Sequence, residues 1–287
     1  MLVAQRSRHR IHPFHLHRPQ TAVDAVTLHA GSKGTAAYMG GGIDLMAALK
    51  TGRRLDDVIH LGALPNRTGI NECGDDIVVG AGVTHDALAR SAVLRRAYPR
   101  LAESWAKLAN NRIRIKGTIA GNLMAGNASY DFLIVAIAAD AQIEFMTSRL
   151  SAESVAASRR AELGPADLIT GIRLPGSGCL ALVVQLEWKP IVAFALSFRR
   201  GQDGVVARLA VGAGFASVAL SQVGLKHSVF DSSSPETASD LAEALCAPLP
   251  PPLTDWRAGS DYRRNLLKVL VRREIEQIRL TGPNHAD

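Results

Sequence analysis

The chain has 287 residues, 47% hydrophobic and 21% charged, which is enough to bury a sizeable core and to divide into two domains of ordinary size. Its 33 Lys and Arg against 26 Asp and Glu give a net charge of +7. The basic residues are interleaved with acids and only 5% of residues are aromatic, which argues against a phosphate-tracking, base-stacking surface and leaves a basic face for an acidic partner subunit or an anionic cofactor.

The start, MLVAQRSRHR, is polar and basic where a secretory signal needs an apolar stretch. The longest apolar run, Phe132 to Ala139, is far short of the roughly 20 residues of a membrane span. A cytoplasmic protein is expected. His9, His12, His15 and His17 crowd the first residues, but Pro13 interrupts an irregular spacing and no cysteine or carboxylate joins them, so a solvated arm is favoured over a metal site. A helix is expected over Ala22 to His29 with Thr21 as its cap. A short strand, Ala36 to Met39, runs into Gly40, Gly41 and Gly42, and a helix over Leu45 to Lys50 follows.

Val58 to Leu61 and Ile77 to Val79 read as strands. Thr84 caps a helix over His85 to Arg90, and a longer helical segment runs from Tyr98 to Ala109. A second glycine-bearing stretch, Lys116 to Gly126, precedes a buried helix over Tyr130 to Ala139. Thr147 to Arg160 reads as a surface excursion before a strand over Asp167 to Leu174, and Pro175, Gly176 and Gly178 mark a boundary. Beyond it lie strands over Leu180 to Glu187, Ile191 to Arg199 and Val205 to Ala213, then helices over Asp240 to Cys246 and Tyr262 to Leu280. Leu267, Leu270, Val271, Ile275 and Ile278 form an apolar stripe on the last helix. Strands followed by packed helices predict a small α+β domain.

Both glycine stretches can bring backbone N–H groups near an anion, because glycine permits positive φ and leaves no side chain in the way. The first, Gly40, Gly41, Gly42, Ile43 and Asp44, opens a helix whose amino end favours negative charge. Asp44 as a plain helix cap, or the run as a plain tight turn, is the alternative. It matches neither GxGxxG nor GxxxxGK[ST]. The second, Thr118, Ile119, Ala120, Gly121 and Asn122 after Gly117, adds a hydroxyl and a carboxamide suited to a phosphate, a sugar or a flavin edge; a β-turn with a self-bonded Asn is the alternative. Cys73, Cys179 and Cys246 are too few and too widely spaced for an iron–sulfur cluster.

Together, GGGIDL and IRIKGTIAGN resemble segments like AGGTDL and IRNxGTIGGN of the PCMH-type FAD-binding domain. That domain is found in the flavin subunits of molybdenum hydroxylases, among them carbon monoxide dehydrogenase and xanthine dehydrogenase. GAGVTH with its helix, DLITGIRLP, LSFRRGQDGVVARLAVGAG and DYRRNLLKVLVRREIE are similar to further family segments in the same order. The resemblance implies an α+β fold: a two-part FAD-binding domain over residues 11–175, with subdomains of about 11–62 and 63–175, then a small α+β carboxy-terminal domain over 178–283. It implies FAD on this chain, with Gly40 to Asp44 and Thr118 to Asn122 around the pyrophosphate. Asp131 would then meet a hydroxyl of the FAD sugar or ribityl chain, a solvated helix cap being the alternative, and Ile169 would pack near the flavin ring, ordinary strand core being the alternative.

The implied role is electron transfer. Substrate is oxidised on a molybdopterin-binding large subunit, electrons cross [2Fe-2S] clusters on a small subunit, and FAD passes them to an external acceptor. No catalytic side chain and no metal ligand is expected here. Ile43 stands where the family has Thr, Ala120 replaces the first glycine of its GG pair and would be strained at positive φ, Ile115 replaces Asn and Ala128 a common Pro. These departures keep open a scaffold subunit that no longer holds FAD, and a free-standing flavin oxidase is a third reading.

Overall fold

The computed structural model describes residues 11–128, 130–185, 190–226, 230 and 237–282. The basic cluster Arg6 to Arg10, with His9, lies outside them. The chain builds three sheets in succession. Parallel strands β1 (His15–His17), β2 (Ala36–Met39) and β3 (Asp57–His60) lie in the order β1-β3-β2. Helix α1 (Ala22–Gly31) starts where the Thr21 hydroxyl accepts from the Asp24 amide at 3.0 Å, and it buries Ala25 and Val26 against Ile59. Helix α2 (Ile43–Lys50) buries Leu49 with Leu55 and Val58. His15 and His17 therefore lie in a strand rather than a free arm: β1 pairs along β3, and His17 Nε2 lies 2.6 Å from Asp57 Oδ1.

The second sheet is antiparallel, β4 (Ile70–Cys73), β5 (Asp76–Gly80), β8 (Leu168–Pro175), β6 (Gln142–Met146) and β7 (Ala152–Ala156) in that spatial order. Its helices are α3 (His85–Arg90), α4 (Ala92–Ala97), α5 (Pro99–Trp105), α6 (Asn111–Arg114), α7 (Ile119–Ala125) and α8 (Asp131–Ala138). The single helix expected over Tyr98 to Ala109 is shorter: Pro99 takes the first helical position of α5, and the chain turns at Ala109 with φ 45°. The surface excursion expected over Thr147 to Arg160 contains the edge strand β7, whose Ala152, Glu153 and Ser154 face water. Polar exposure disguised a strand that needs cover on one edge only.

The third sheet is an antiparallel meander of β9 (Cys179–Gln185), β10 (Phe194–Arg200), β11 (Val205–Val211) and β12 (Ala219–Leu225); β12 went unread, and the end of the strand expected to reach Glu187 lies outside the described residues. One face packs on α9 (Ala238–Cys246) and α10 (Ser260–Thr281) through Phe194, Leu196, Leu209, Val271 and Ile275. The other face joins a different core: Leu182, Val184, Ala195 and Ala210 sit in one cluster with α8 and Trp105. Every residue of α8 from Phe132 to Ala138 is buried. Side chains of the third sheet cap its carbonyl end: Ser197 Oγ donates to Ala138 O at 2.5 Å, Arg208 to Ile137 O at 3.0 Å and Arg199 to Ala139 O at 3.3 Å.

Candidate functional site

The two glycine stretches, far apart in sequence, touch. A Cβ on Gly41 would lie 1.6 Å from the Lys116 carbonyl oxygen, and one on Gly40 would lie 2.8 Å from Thr118 Oγ1. Backbone therefore packs directly on backbone, and a side chain at Gly41 would force the loops apart. Gly42, at φ 76°, is the residue before α2 and gives that helix no side-chain cap. Asp44 is thus not the cap; it lies inside the first turn. Among the described residues, no acceptor meets the N–H groups of Gly41 through Leu45. A row of open amides at a helix amino end is an anion-binding arrangement.

The second stretch differs from what its letters suggest. The Ile119 N–H donates to Val83 O at 2.9 Å, Ala120 to Ala81 O at 3.3 Å, Gly121 to Thr118 Oγ1 at 3.2 Å and Asn122 to Thr118 O at 2.9 Å. These four amides are committed to the protein, so what the stretch offers a ligand is side chains, the Thr118 hydroxyl and the Asn122 carboxamide. Thr118 is the cap of α7. Ala120 is helical with no positive φ, so the strain foreseen for it is absent. Asn122 is not self-bonded: its Oδ1 accepts from the Phe132 amide at 3.2 Å, tying α7 to the start of α8.

Asp131 opens α8. Burial pushes its carboxyl up to about 7, although a helix amino end by itself favours the charged form. Just before it, the Tyr130 hydroxyl donates to Asp44, and burial together with that carboxylate pushes the phenol up to about 12. Sequence reading missed Tyr130, because nothing local marks a residue whose partner is 86 positions away. Thus the amino ends of α2, α7 and α8 converge. Ile43 is partly exposed on the first turn of α2, whereas Ile169 is 3% exposed, within the main core on β8. His85 lies beneath the second stretch: a Cβ on Gly117 would meet its ring at 2.9 Å, and burial pushes its imidazole down to about 4.

Among the described residues, no group of three or more His, Cys, Asp or Glu is gathered to hold a metal ion, and no helix is long and apolar enough to cross a membrane. Two sheets with their helices, brought together at the paired loops, are followed by an appended third sheet, an α+β arrangement. Residues 12–177 match the family described as the FAD binding domain in molybdopterin dehydrogenase, and the chain belongs to that family. It is 27% identical to the carbon monoxide dehydrogenase medium chain of Afipia carboxidovorans, over 94% of this chain and 98% of that one. With the nicotine 6-hydroxylase medium subunit of Paenarthrobacter nicotinovorans it shares 28% identity over 76% of this chain and 80% of the relative. A chain of quinoline 2-oxidoreductase from Pseudomonas putida 86 has the same fold, with TM-score 0.81 at 20% identity, covering 95% of this chain and 99% of that one.

Proposed function

We propose that this chain is the FAD-binding, electron-transferring subunit of a molybdenum-containing hydroxylase. Substrate oxidation takes place on a molybdopterin-binding large subunit, and electrons reach this chain from the [2Fe-2S] clusters of a small subunit before leaving to an external acceptor. The observation that carries the reading is the open amide row of Gly41 to Leu45 at the uncapped amino end of α2, set against Thr118.

These groups suit the diphosphate of FAD: the amides and the α2 dipole meet its charge, and the Thr118 hydroxyl and Asn122 carboxamide add side-chain donors. Gly40 and Gly41 keep the two stretches close enough to act together. Asp131 would accept from a hydroxyl of the sugar or ribityl chain, and Ile169 would back the flavin side of the cleft from the core. When bound, FAD supplies a group that takes up electrons singly and releases them singly or in pairs. Nothing in that task requires a general acid, base or nucleophile from this chain. The family membership and the medium-subunit names of the relatives support partners of both kinds, and a cytoplasmic location goes with the reading.

The test is the visible absorbance of the protein purified with whatever accompanies it, followed by acid release and identification of the flavin. FAD near one per chain, with iron and molybdenum in the partners, is the expected result. A colourless chain that still captures those partners and takes up no added FAD would sink the reading in favour of a scaffold. Substrate turnover by the isolated chain would instead favour a flavin oxidase.

A further inference from the structure

Three side-chain hydrogen bonds among the described residues join residues 11–62 to residues 63–175: Tyr38 to Ala166 O at 2.9 Å, Arg67 to Leu61 O at 3.2 Å, and Tyr130 to Asp44. The first is made from β2 and the second lies where the chain passes between the two halves. The third alone reaches α2, the helix that carries the open amides. Its donor is the residue that precedes α8, and its acceptor lies in the first turn of α2. The tie therefore runs directly between two of the three helix ends that bound the site.

We propose that Tyr130 is a positioning residue which, by holding Asp44, fixes the amino end of α2 at a set distance from α7 and α8 and so keeps its amide row ready for the diphosphate. This rests on the cofactor reading above and assigns Asp44 an indirect part in it. The carboxylate is engaged by the phenol, and Ile43 beside it brings no hydroxyl, so the first stretch works through backbone amides held in place from across the cleft. Preorganisation of this kind raises affinity by removing the cost of ordering the loop on binding.

The experiment compares the full chain, stripped of flavin, with Tyr130→Phe, Asp44→Ala, Asp44→Asn and the double variant Tyr130→Phe/Asp44→Ala. Amide hydrogen exchange, read without any cofactor, is expected to quicken at residues 41–45 in Tyr130→Phe and Asp44→Ala, and to stay unchanged in α3. FAD titration is expected to show affinity lowered about three- to tenfold in each, the worth of one hydrogen bond. Asp44→Asn, which keeps an acceptor oxygen, should restore most of it, and the double variant should be no weaker than the poorer single one. Unchanged exchange overturns the proposal; so does quickened exchange with unchanged FAD affinity, which makes Tyr130 a structural tie only, and so do additive losses in the double variant. A wild-type chain that takes up no FAD fails the cofactor reading instead, and the exchange data then decide on the tie alone.

Discussion

Gly41 carries the sharpest constraint on any single residue of the site. A methyl group 1.6 Å from the Lys116 oxygen cannot be absorbed by a rotamer change, because the obstacle is backbone. Gly41→Ala should separate the two stretches, costing roughly 1–3 kcal/mol of stability as overpacking does and lowering FAD affinity at least about tenfold; denaturant unfolding and flavin titration measure the two effects. Asp131 gives a second test at this scale. Its carboxyl is raised to about 7 by burial, so between the ordinary carboxylate range near 4 and pH 7 the folded chain holds a proton that the unfolded chain has released. Its contribution is thus fully present at low pH and is lost as pH rises through 7. Replacing it with Asn should flatten that fall, so unfolding free energies of flavin-free wild type and Asp131→Asn should diverge across pH 4 to 7, with the wild type losing more. Parallel curves would show that Asp131 ionises freely.

Elements whose ends are written in short-range chemistry were legible in the sequence. Thr21 and Thr84 cap where their letters predict, and the glycine run after Ala36–Met39 is a strand-to-helix turn. The second glycine stretch could be read as a place but not as a mechanism, since whether an amide is free depends on distant carbonyls, here Val83 and Ala81. Tyr130 was invisible for the same reason, and α8 could be read as buried without revealing what covers it. Its carbonyl end makes a test for the element as a whole. Ser197 and Arg208 reach it from β10 and β11, and a cation at a helix carboxyl end also meets the negative end of the dipole. Ser197→Ala and Arg208→Met should each cost about 1–2 kcal/mol by leaving a buried carbonyl short of a donor. The pair should fall short of additivity if both serve the same helix end; a double-mutant cycle in urea settles it.

At the scale of the molecule, packing crosses the sequence boundary near Pro175 to Gly178. The strands after it contribute Leu182, Val184, Ala195 and Ala210 to the core that holds α8, Phe132 and Trp105, so the helix that begins with Asp131 is finished by the sheet beyond the boundary. Reading the sequence by composition separated two domains, because texture changes at the glycines; what it could not register is that the second face of the later sheet is also buried, through Leu182, Val184, Ala195 and Ala210. Two consequences follow from shared burial. The full chain should unfold in one cooperative transition, seen as coincident curves for tryptophan emission, dominated on this side by the buried Trp105, and for far-ultraviolet dichroism. A fragment ending at residue 177 should bare the hydrophobic face of α8 and lose the donors to its last carbonyls, so it should be poorly soluble or bind a hydrophobic dye such as ANS, and take up FAD weakly even though every residue assigned to the cofactor is still present. A fragment that folds with full flavin affinity would show instead that α8 holds its place without the later sheet, and that the carboxy-terminal unit serves contacts outside this chain rather than the geometry of the site within it.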